Sequence, residues 1–418
     1  MKSRLTIFTF PFVASLLLVS CNLPVAPEVT TGAPIPVTTE LASPTASPTL
    51  TLAGPAIAHL PAGQAISIMN IQMLDPYSGW GIGGLNQARD HVFRTQDGGM
   101  SWRDVTPPQP APAADDVVIA IGEFRDASSA WVAYGYEKVP PPLKSLIWYT
   151  HDGGATWQYS SIDTSISTEN FKPWFIDFAD ALHGWLLVYL GAGMSHNYVA
   201  LFGTTDGGLT WNTLVTPQDQ NEIQSCSKAG MVFSDALNGW LARECTGLFP
   251  APHIMRTTDG GATWTRIEPP APAGVPNLFT DYVCDMVSPN LTSTSSAILA
   301  MKCLSNADFT TQKDYIYFTT DGGSSWASSP LPDNYRLGEG LYFFDPLNGF
   351  AFGRKIFKTT DGGIHWTFVQ EVFWDGQFSF VDADHGWAAV VNDSNENALV
   401  VTTNGGVHWD MLNPILVP

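Results

Sequence analysis

The sequence predicts an all-β fold, a seven-bladed β-propeller of four-stranded antiparallel blades, from two repeated elements and the spacing between their copies. The first element is eight residues long and opens as Thr95-Gln96-Asp97-Gly98-Gly99-Met100-Ser101-Trp102. It occurs seven times. Six copies carry the pairs Asp97 and Trp102, Asp152 and Trp157, Asp206 and Trp211, Asp259 and Trp264, Asp321 and Trp326, and Asp361 and Trp366; the seventh has Asn404 and Trp409. The second element, Asp-x-x-x-Gly-Trp/Phe, precedes most copies, at Asp75 to Trp80, Asp180 to Trp185, Asp235 to Trp240, Asp345 to Phe350 and Asp382 to Trp387, with a weaker form from Asp126 to Trp131. The unit between Trp264 and Trp326 lacks it across Pro289 to Ala297.

Asp-Gly-Gly between β-prone segments is a tight hairpin turn, because the carboxylate accepts backbone N–H groups of its own turn and glycine tolerates positive φ. The second element has the same logic. Each unit therefore holds two hairpins, hence four strands, A to D, with the Asp-Gly-Gly turn between C and D. Tryptophan-to-tryptophan spacings of 40 to 62 residues suit one blade per unit. Radial stacking of blades leaves few exposed sheet edges.

The eight-residue element resembles the Asp-box, or BNR repeat, of sialidase-type propellers. Its pairing with Asp-x-x-x-Gly-Trp resembles more closely the photosystem II stability/assembly factor-like propellers; Val232 to Trp240 followed by Thr257 to Trp264 fits that unit almost residue for residue. The resemblance covers roughly residues 66 to 412. It implies a non-catalytic binding or assembly scaffold that docks on a protein partner, in that family a membrane-protein subunit.

Three segments follow along the chain. In residues 1–21, Lys2 and Arg4 precede an apolar run from Leu5 to Val19, which has the length of a signal-peptide core and is too short to span a bilayer. Leu18-Val19-Ser20-Cys21 resembles a bacterial lipobox, which implies cleavage before Cys21, lipid on its thiol, and an exported protein anchored on the extracytoplasmic side of a bacterial membrane. Residues 22–64, rich in Pro, Thr, Ala and Ser, are expected to be a disordered tether. The propeller is expected over 65–418.

Four cysteines follow Cys21, at Cys226, Cys245, Cys284 and Cys303, with 19 residues separating the members of each successive pair. An even count in an exported chain points to disulfides. Of the three connectivities, Cys226 with Cys245 and Cys284 with Cys303 is favoured, since each pair brackets the A–B hairpin of its own unit. A zinc site would call for close Cys-x-x-Cys spacing or histidine partners. No metal and no cofactor is expected.

The box aspartates are distributed around one rim by the repeat and are read as structural, as are the box tryptophans. Function in propellers concentrates on the opposite mouth, formed by the D–A and B–C loops. Those loops are long and variable here and carry Trp174, Phe249, Tyr282, Tyr335 and Trp374, which suit recognition of a protein or a carbohydrate. A sialidase-like glycosidase is the alternative. It would need an arginine triad clamping a carboxylate, yet the Arg-Ile-Pro motif is absent, Arg94 and Arg256 precede boxes, and Arg103 and Arg266 follow box tryptophans. No phosphate-binding glycine loop, Ser-His-Asp arrangement or zinc-protease helix motif is present. A net charge of −20 without a basic run argues against nucleic acid and anionic lipid as ligands of the propeller.

Overall fold

The computed structural model describes residues 55–418 apart from 113–115, 138–143, 168–169, 194–195, 220, 246–250, 288 and 332–339. Cys21, Phe249 and Tyr335, together with the signal segment and the tether up to residue 54, lie outside the described residues.

Seven antiparallel sheets follow one another along the chain, each ordered A-B-C-D, so the fold is the expected seven-bladed propeller. The A strands are Ser67–Met73, Val118–Phe124, Lys172–Phe178, Ser227–Phe233, Tyr282–Met286, Gly340–Phe343 and Trp374–Phe380. A strands meet directly between blades 7 and 1, 2 and 3, and 3 and 4. Blade 5 adds a two-residue strand, Asn290–Leu291, beside its B strand.

Each Asp box folds the same way. In blade 4, Asp259 Oδ1 accepts from Thr257 Oγ1 (2.8 Å) and Thr263 N (2.9 Å), and Oδ2 accepts from Thr263 Oγ1 (2.6 Å). Both box glycines have positive φ, +73° at Gly260 and +93° at Gly261, where a side chain would be strained. Burial works against ionisation of Asp259, but the bonds from Thr263 and Thr257 outweigh it and hold the carboxyl below its usual range. In the A–B turns, Asp235 Oδ1 caps Leu237 N and Asn238 N, both at 2.8 Å. The two turns of every blade are then joined: the first box glycine donates its N–H to the carbonyl of the third A–B turn residue, from Gly98 to Tyr77 in blade 1 through Gly405 to Asp384 in blade 7.

Contacts between blades repeat as regularly. In every blade but the fifth, where Ile298 takes the place, an aromatic at the start of strand B lies on the residue that ends strand A of the next blade. Trp80 stacks on Phe124 at 5.2 Å, Trp131 on Phe178 at 3.8 Å and Trp185 on Phe233 at 3.5 Å between centroids, and Phe350 meets Phe380 at 4.8 Å with the rings tilted by 33°. Except in blade 2, where Ala130 holds the position, a glycine precedes each of these aromatics, and the residue ending strand A of its own blade leaves no room for a side chain there: a Cβ on Gly79 would sit 2.3 Å from Met73, and one on Gly184 2.4 Å from Phe178. Indole N–H groups add a polar lock, donating to the first box glycine of the following blade in Trp131 to Gly207 (2.8 Å), Trp185 to Gly260 (2.7 Å) and Trp387 to Gly98 (2.8 Å). In blades 1 and 4 an arginine takes that role: Arg94 donates to Gly153 O, Arg256 to Gly322 O, and each guanidinium lies over the tryptophan of its own blade.

The same devices close the ring. Trp387 joins the Met73 cluster of blade 1, Ile71 N donates to Gln377 Oε1 (2.7 Å), and Met73 N donates to Ser379 Oγ (2.8 Å). Beyond them the C-terminal strand Ile415–Val417 pairs in parallel with Ser101–Asp104, the D strand of blade 1. The repeats gave no sign of this fifth strand. The N-terminal side adds to it: Ile57 is buried, Leu60 N donates to Asp104 Oδ2 (2.8 Å), and Gly63 N donates to Leu416 O (2.8 Å). Packing on blade 1 thus begins before the expected boundary at residue 65.

Blade 5 keeps its A–B turn although its sequence lacks the motif. Ser293 Oγ stands in for the aspartate, accepting from Ser295 N (3.3 Å) and Ser296 N (3.0 Å). Disulfides join Cys226 to Cys245 and Cys284 to Cys303, each linking strand A to strand B within one blade. Two half-buried carboxyls, Glu123 and Asp177, each precede the aromatic that ends an A strand. Burial and the neighbouring Asp177 push Glu123 up to about 8, against Arg125. Burial pushes Asp177 up to about 7, against a 2.7 Å bond from Phe233 N. Both bind a proton more tightly folded than unfolded, so their contribution is full below about pH 4 and is lost as pH rises through their folded values.

Asn404 shows what the box requires, since its Oδ1 still accepts from Thr402 Oγ1 (3.0 Å) and His408 N (2.9 Å). Asp259→Asn is therefore expected to cost less than about 0.5 kcal/mol, and Asp259→Ala, which strands three donors, about 1–2 kcal/mol. Denaturant unfolding of the two variants checks this.

Candidate functional site

A cleft of about 410 Å³ opens between blades 2, 3 and 4 at the mouth. Tyr136 and Glu137 line it from the end of strand B of blade 2; Lys172, Pro173 and Trp174 from the start of strand A of blade 3; Tyr189 and Asn197 from strands B and C of blade 3. Ser227 closes it on the blade 4 side.

A β-bulge shapes this wall. Pro173 pairs with Val188 and Phe175 with Leu187, leaving Trp174 as the extra residue of its strand. Proline has no N–H to give to the ladder, which favours the irregularity at this point. The Trp174 ring is half-buried, edge-on to Tyr189 at 5.6 Å and 88°, and stacked near-parallel on Phe175 at 5.6 Å and 12°. The Tyr136 hydroxyl donates to Pro110 O (2.7 Å) and accepts from Gln109 Nε2 (2.9 Å), which fixes the ring against the D–A loop of blade 1. The cleft thus offers rigid aromatic surface with an amine, Lys172, and a carboxylate, Glu137, in its lining.

Behind the blade 4 wall lies a buried cationic cluster. Lys228 and Arg243 face each other across strands A and B. Lys228 Nζ donates to Cys226 O (2.7 Å), Ser225 O (3.1 Å) and Asn197 O (3.4 Å), the last belonging to a cleft residue. Arg243 donates to Glu222 O (2.6 Å) and Ser225 Oγ (2.9 Å) and meets His253 Nε2. Burial first, then Arg243, lowers Lys228 to about 7; burial and Arg243 lower His253 to about 4. Lys228, Arg243 and His253 are scattered in sequence and form no basic run, so only the blade register gathers them.

The other expected mouth residues are placed differently from Trp174. Tyr282 starts strand A of blade 5, half-buried, with Lys313 Nζ 5.1 Å from its ring centre. Trp374 starts strand A of blade 7 and packs on Phe378 (5.7 Å) and Trp409 (5.6 Å). Neither lines the cleft with Trp174. Tyr136, Lys172 and Tyr189, which do, sit at strand ends, where their alternation reads as ordinary sheet packing. Among the described residues no group of three or more His, Cys, Asp or Glu side chains is arranged to hold a metal, and no helix is long and apolar enough to cross a membrane.

Lys228 binds its proton more weakly folded than unfolded, so it makes stability rise with pH between about 7 and 10. The difference in unfolding free energy between the parent and Lys228→Met is expected to change by about 1 kcal/mol per pH unit between pH 8 and 10. Chemical denaturation across that range measures it.

No family model matches the chain. A stretch of 183 residues is 28% identical to the photosystem II assembly lipoprotein Ycf48 of Synechococcus sp. (strain CC9902), covering 40% of this chain and 43% of that protein, less than half of its length. In structure, YCF48 bound to a D1 peptide superposes with a TM-score of 0.52 at 17% identity, covering 84% of this chain and 99% of that one. YCF48 from Cyanidioschyzon merolae superposes at 0.51 and 16% identity, over 82% and 97%. The resemblance to photosystem II assembly factor-like propellers carried by the repeats thus extends to the propeller fold.

Proposed function

We propose that this chain is a non-catalytic binding or assembly scaffold that takes a segment of a protein partner into the mouth cleft of blades 2 to 4. The observation that carries the reading is the bulged Trp174, set with Tyr189 and Tyr136 into a concave, rigid site beside Lys172 and Glu137. Buried aromatic anchors flanked by a few charges are the usual energetic centre of a protein interface. The similar YCF48 structure is described as bound to a D1 peptide, which supports a polypeptide as ligand. Glycoside hydrolysis in its common form needs two carboxyl groups facing each other across the substrate. Glu137 is the one carboxylate among the described lining residues.

The anchor belongs to the same proposal. Cys21 carries lipid and holds the propeller at the extracytoplasmic side of a bacterial membrane, next to a membrane or envelope partner. The lipobox-like Leu18 to Cys21, two disulfides, and the lipoprotein name of the similar cyanobacterial protein support this.

Cross-linking in the native cells followed by affinity capture tests the mouth. One membrane or envelope protein is expected to be recovered, and Trp174→Ala is expected to weaken its binding roughly tenfold while the protein stays folded. Recovery of glycan alone, or a partner indifferent to Trp174→Ala, would count against the reading. Fractionation tests the anchor: Cys21→Ala should move the protein from the membrane to the soluble fraction, and a variant still on the membrane refutes lipidation.

A further inference from the structure

The face opposite the mouth, built from the A–B turns and Asp boxes, carries apolar side chains that the turns do not need. Tyr77, Leu182, Leu237 and Leu347 occupy the third position of four A–B turns, near the centre of the ring. Met100, Leu209, Ile364 and Val407 occupy the position after the glycine pair in four boxes, further out. All eight are between 53% and 67% exposed. Blades 2 and 7 put Ser128 and Asp384 at the A–B position and form the same turn, with Ser128 N donating to Asp126 Oδ1 (2.7 Å) and Asp384 N to Asp382 Oδ1 (2.8 Å). Only the backbone of that residue is used by the fold, through the N–H that donates to the turn aspartate and the carbonyl that accepts from the box glycine. The boxes of blades 2, 4 and 5 likewise close around Ala155, Ala262 and Ser324. Exposed apolar residues repeated on one face of a soluble domain, where polar ones would fold as well, mark an interaction surface.

The charge of that face selects the occupant. Six A–B turn aspartates and six box aspartates lie there among the apolar tips, all held below the usual carboxylate range. Their turn bonds leave the negative charge in place. Arg94 and Arg256, beside the boxes, are turned to carbonyls of the adjoining blade. A second copy would bring the same charge to the same face, and an anionic bilayer would be repelled. Residues 22–54 of this chain hold Glu28 and Glu40 but no Lys or Arg, so the tether does not complement the face either.

We propose that the Asp-box face is a second docking surface, distinct from the mouth, and that it takes a cationic amphipathic segment of a protein, with apolar side chains on the turn tips and lysines or arginines among the aspartates. Two docking faces on opposite sides of one rigid ring would let the chain hold two polypeptides at once.

Fluorescence anisotropy with the full-length chain tests this at about 150 mM salt, where surface charges are screened beyond about 8 Å. The probe is a labelled 14-residue helical peptide of leucine and lysine; the control has serine for each leucine at equal charge. Saturable binding of the leucine peptide is expected. Replacing Tyr77, Leu182, Leu237 and Leu347 with serine should weaken it at least about tenfold, and Trp174→Ala should leave it unchanged. Should the inner variant not fold, serine at Met100, Leu209, Ile364 and Val407 should give the same loss in direction. The proposal fails if the serine peptide binds equally well, if both serine variants bind like the parent, or if Trp174→Ala abolishes binding, since the mouth would then be the site. Partition onto phosphatidylcholine vesicles by Cys21→Ala protein, lost in the inner serine variant, would also overturn it in favour of lipid. None of these outcomes depends on the mouth partner.

Discussion

Everything in this ring depends on how one blade grips the next. The grip is an aromatic at the start of strand B lying flat on the last residue of the following blade's strand A, as with Trp185 on Phe233 at 3.5 Å. Stacked rings bury large apolar area with defined geometry. The indole N–H then finds its partner in a box glycine carbonyl of that same neighbour, so the dry contact and the polar contact share one side chain. Because the box is also bonded to its own A–B turn, each grip aligns the innermost and outer hairpins of the next blade together. In blade 1, where the Trp80 indole donates to Asp126 O instead, and in blade 4, Arg94 and Arg256 supply the same carbonyl with a guanidinium. The ring tolerates this substitution because the carbonyl's position is set by the repeat and the donor need only reach it.

Such a scaffold separates structure from function by face. One end of every blade consists of two short turns whose backbone bonds are dictated. The other end consists of loops and strand ends free to differ, and there a bulge at Trp174 opens the cleft. Rigid strands hold the aromatic walls in place, which lowers the entropy cost of binding an extended partner. The turn face is free in a narrower sense: its backbone is committed, while the side chains at two positions per blade point out of the fold.

Charge is distributed with the same economy. The twelve aspartates of the A–B turns and boxes are hydrogen-bonded within their turns and held below the usual carboxylate range. Glu123 and Asp177 are exceptions that hold protons by burial, and the Lys228 and Arg243 pair is a cationic exception that leans on backbone carbonyls of Ser225, Cys226 and Glu222. These groups make the interior of blades 2 to 4 sensitive to pH, next to the cleft that the candidate site occupies.

The sequence by itself determined the blade count, the strand order and the two hairpins of each unit, because Asp-Gly-Gly and Asp-x-x-x-Gly-Trp encode local turns whose bonds close within a few residues. It also brought the two cysteine pairs to the two hairpins that the disulfides staple. Trp174, Tyr282 and Trp374, expected on loops, lie instead within the first residues of A strands, and their separate surroundings were not legible. Ser293 escaped notice because a serine hydroxyl can cap a turn without the aspartate that marks it. The pairing of Ile415–Val417 with blade 1, the gathering of Lys228, Arg243 and His253, and the cleft made by Tyr136, Trp174 and Tyr189 were decided by tertiary structure alone. Those features join residues far apart in the chain, and no local period records which blade will face which.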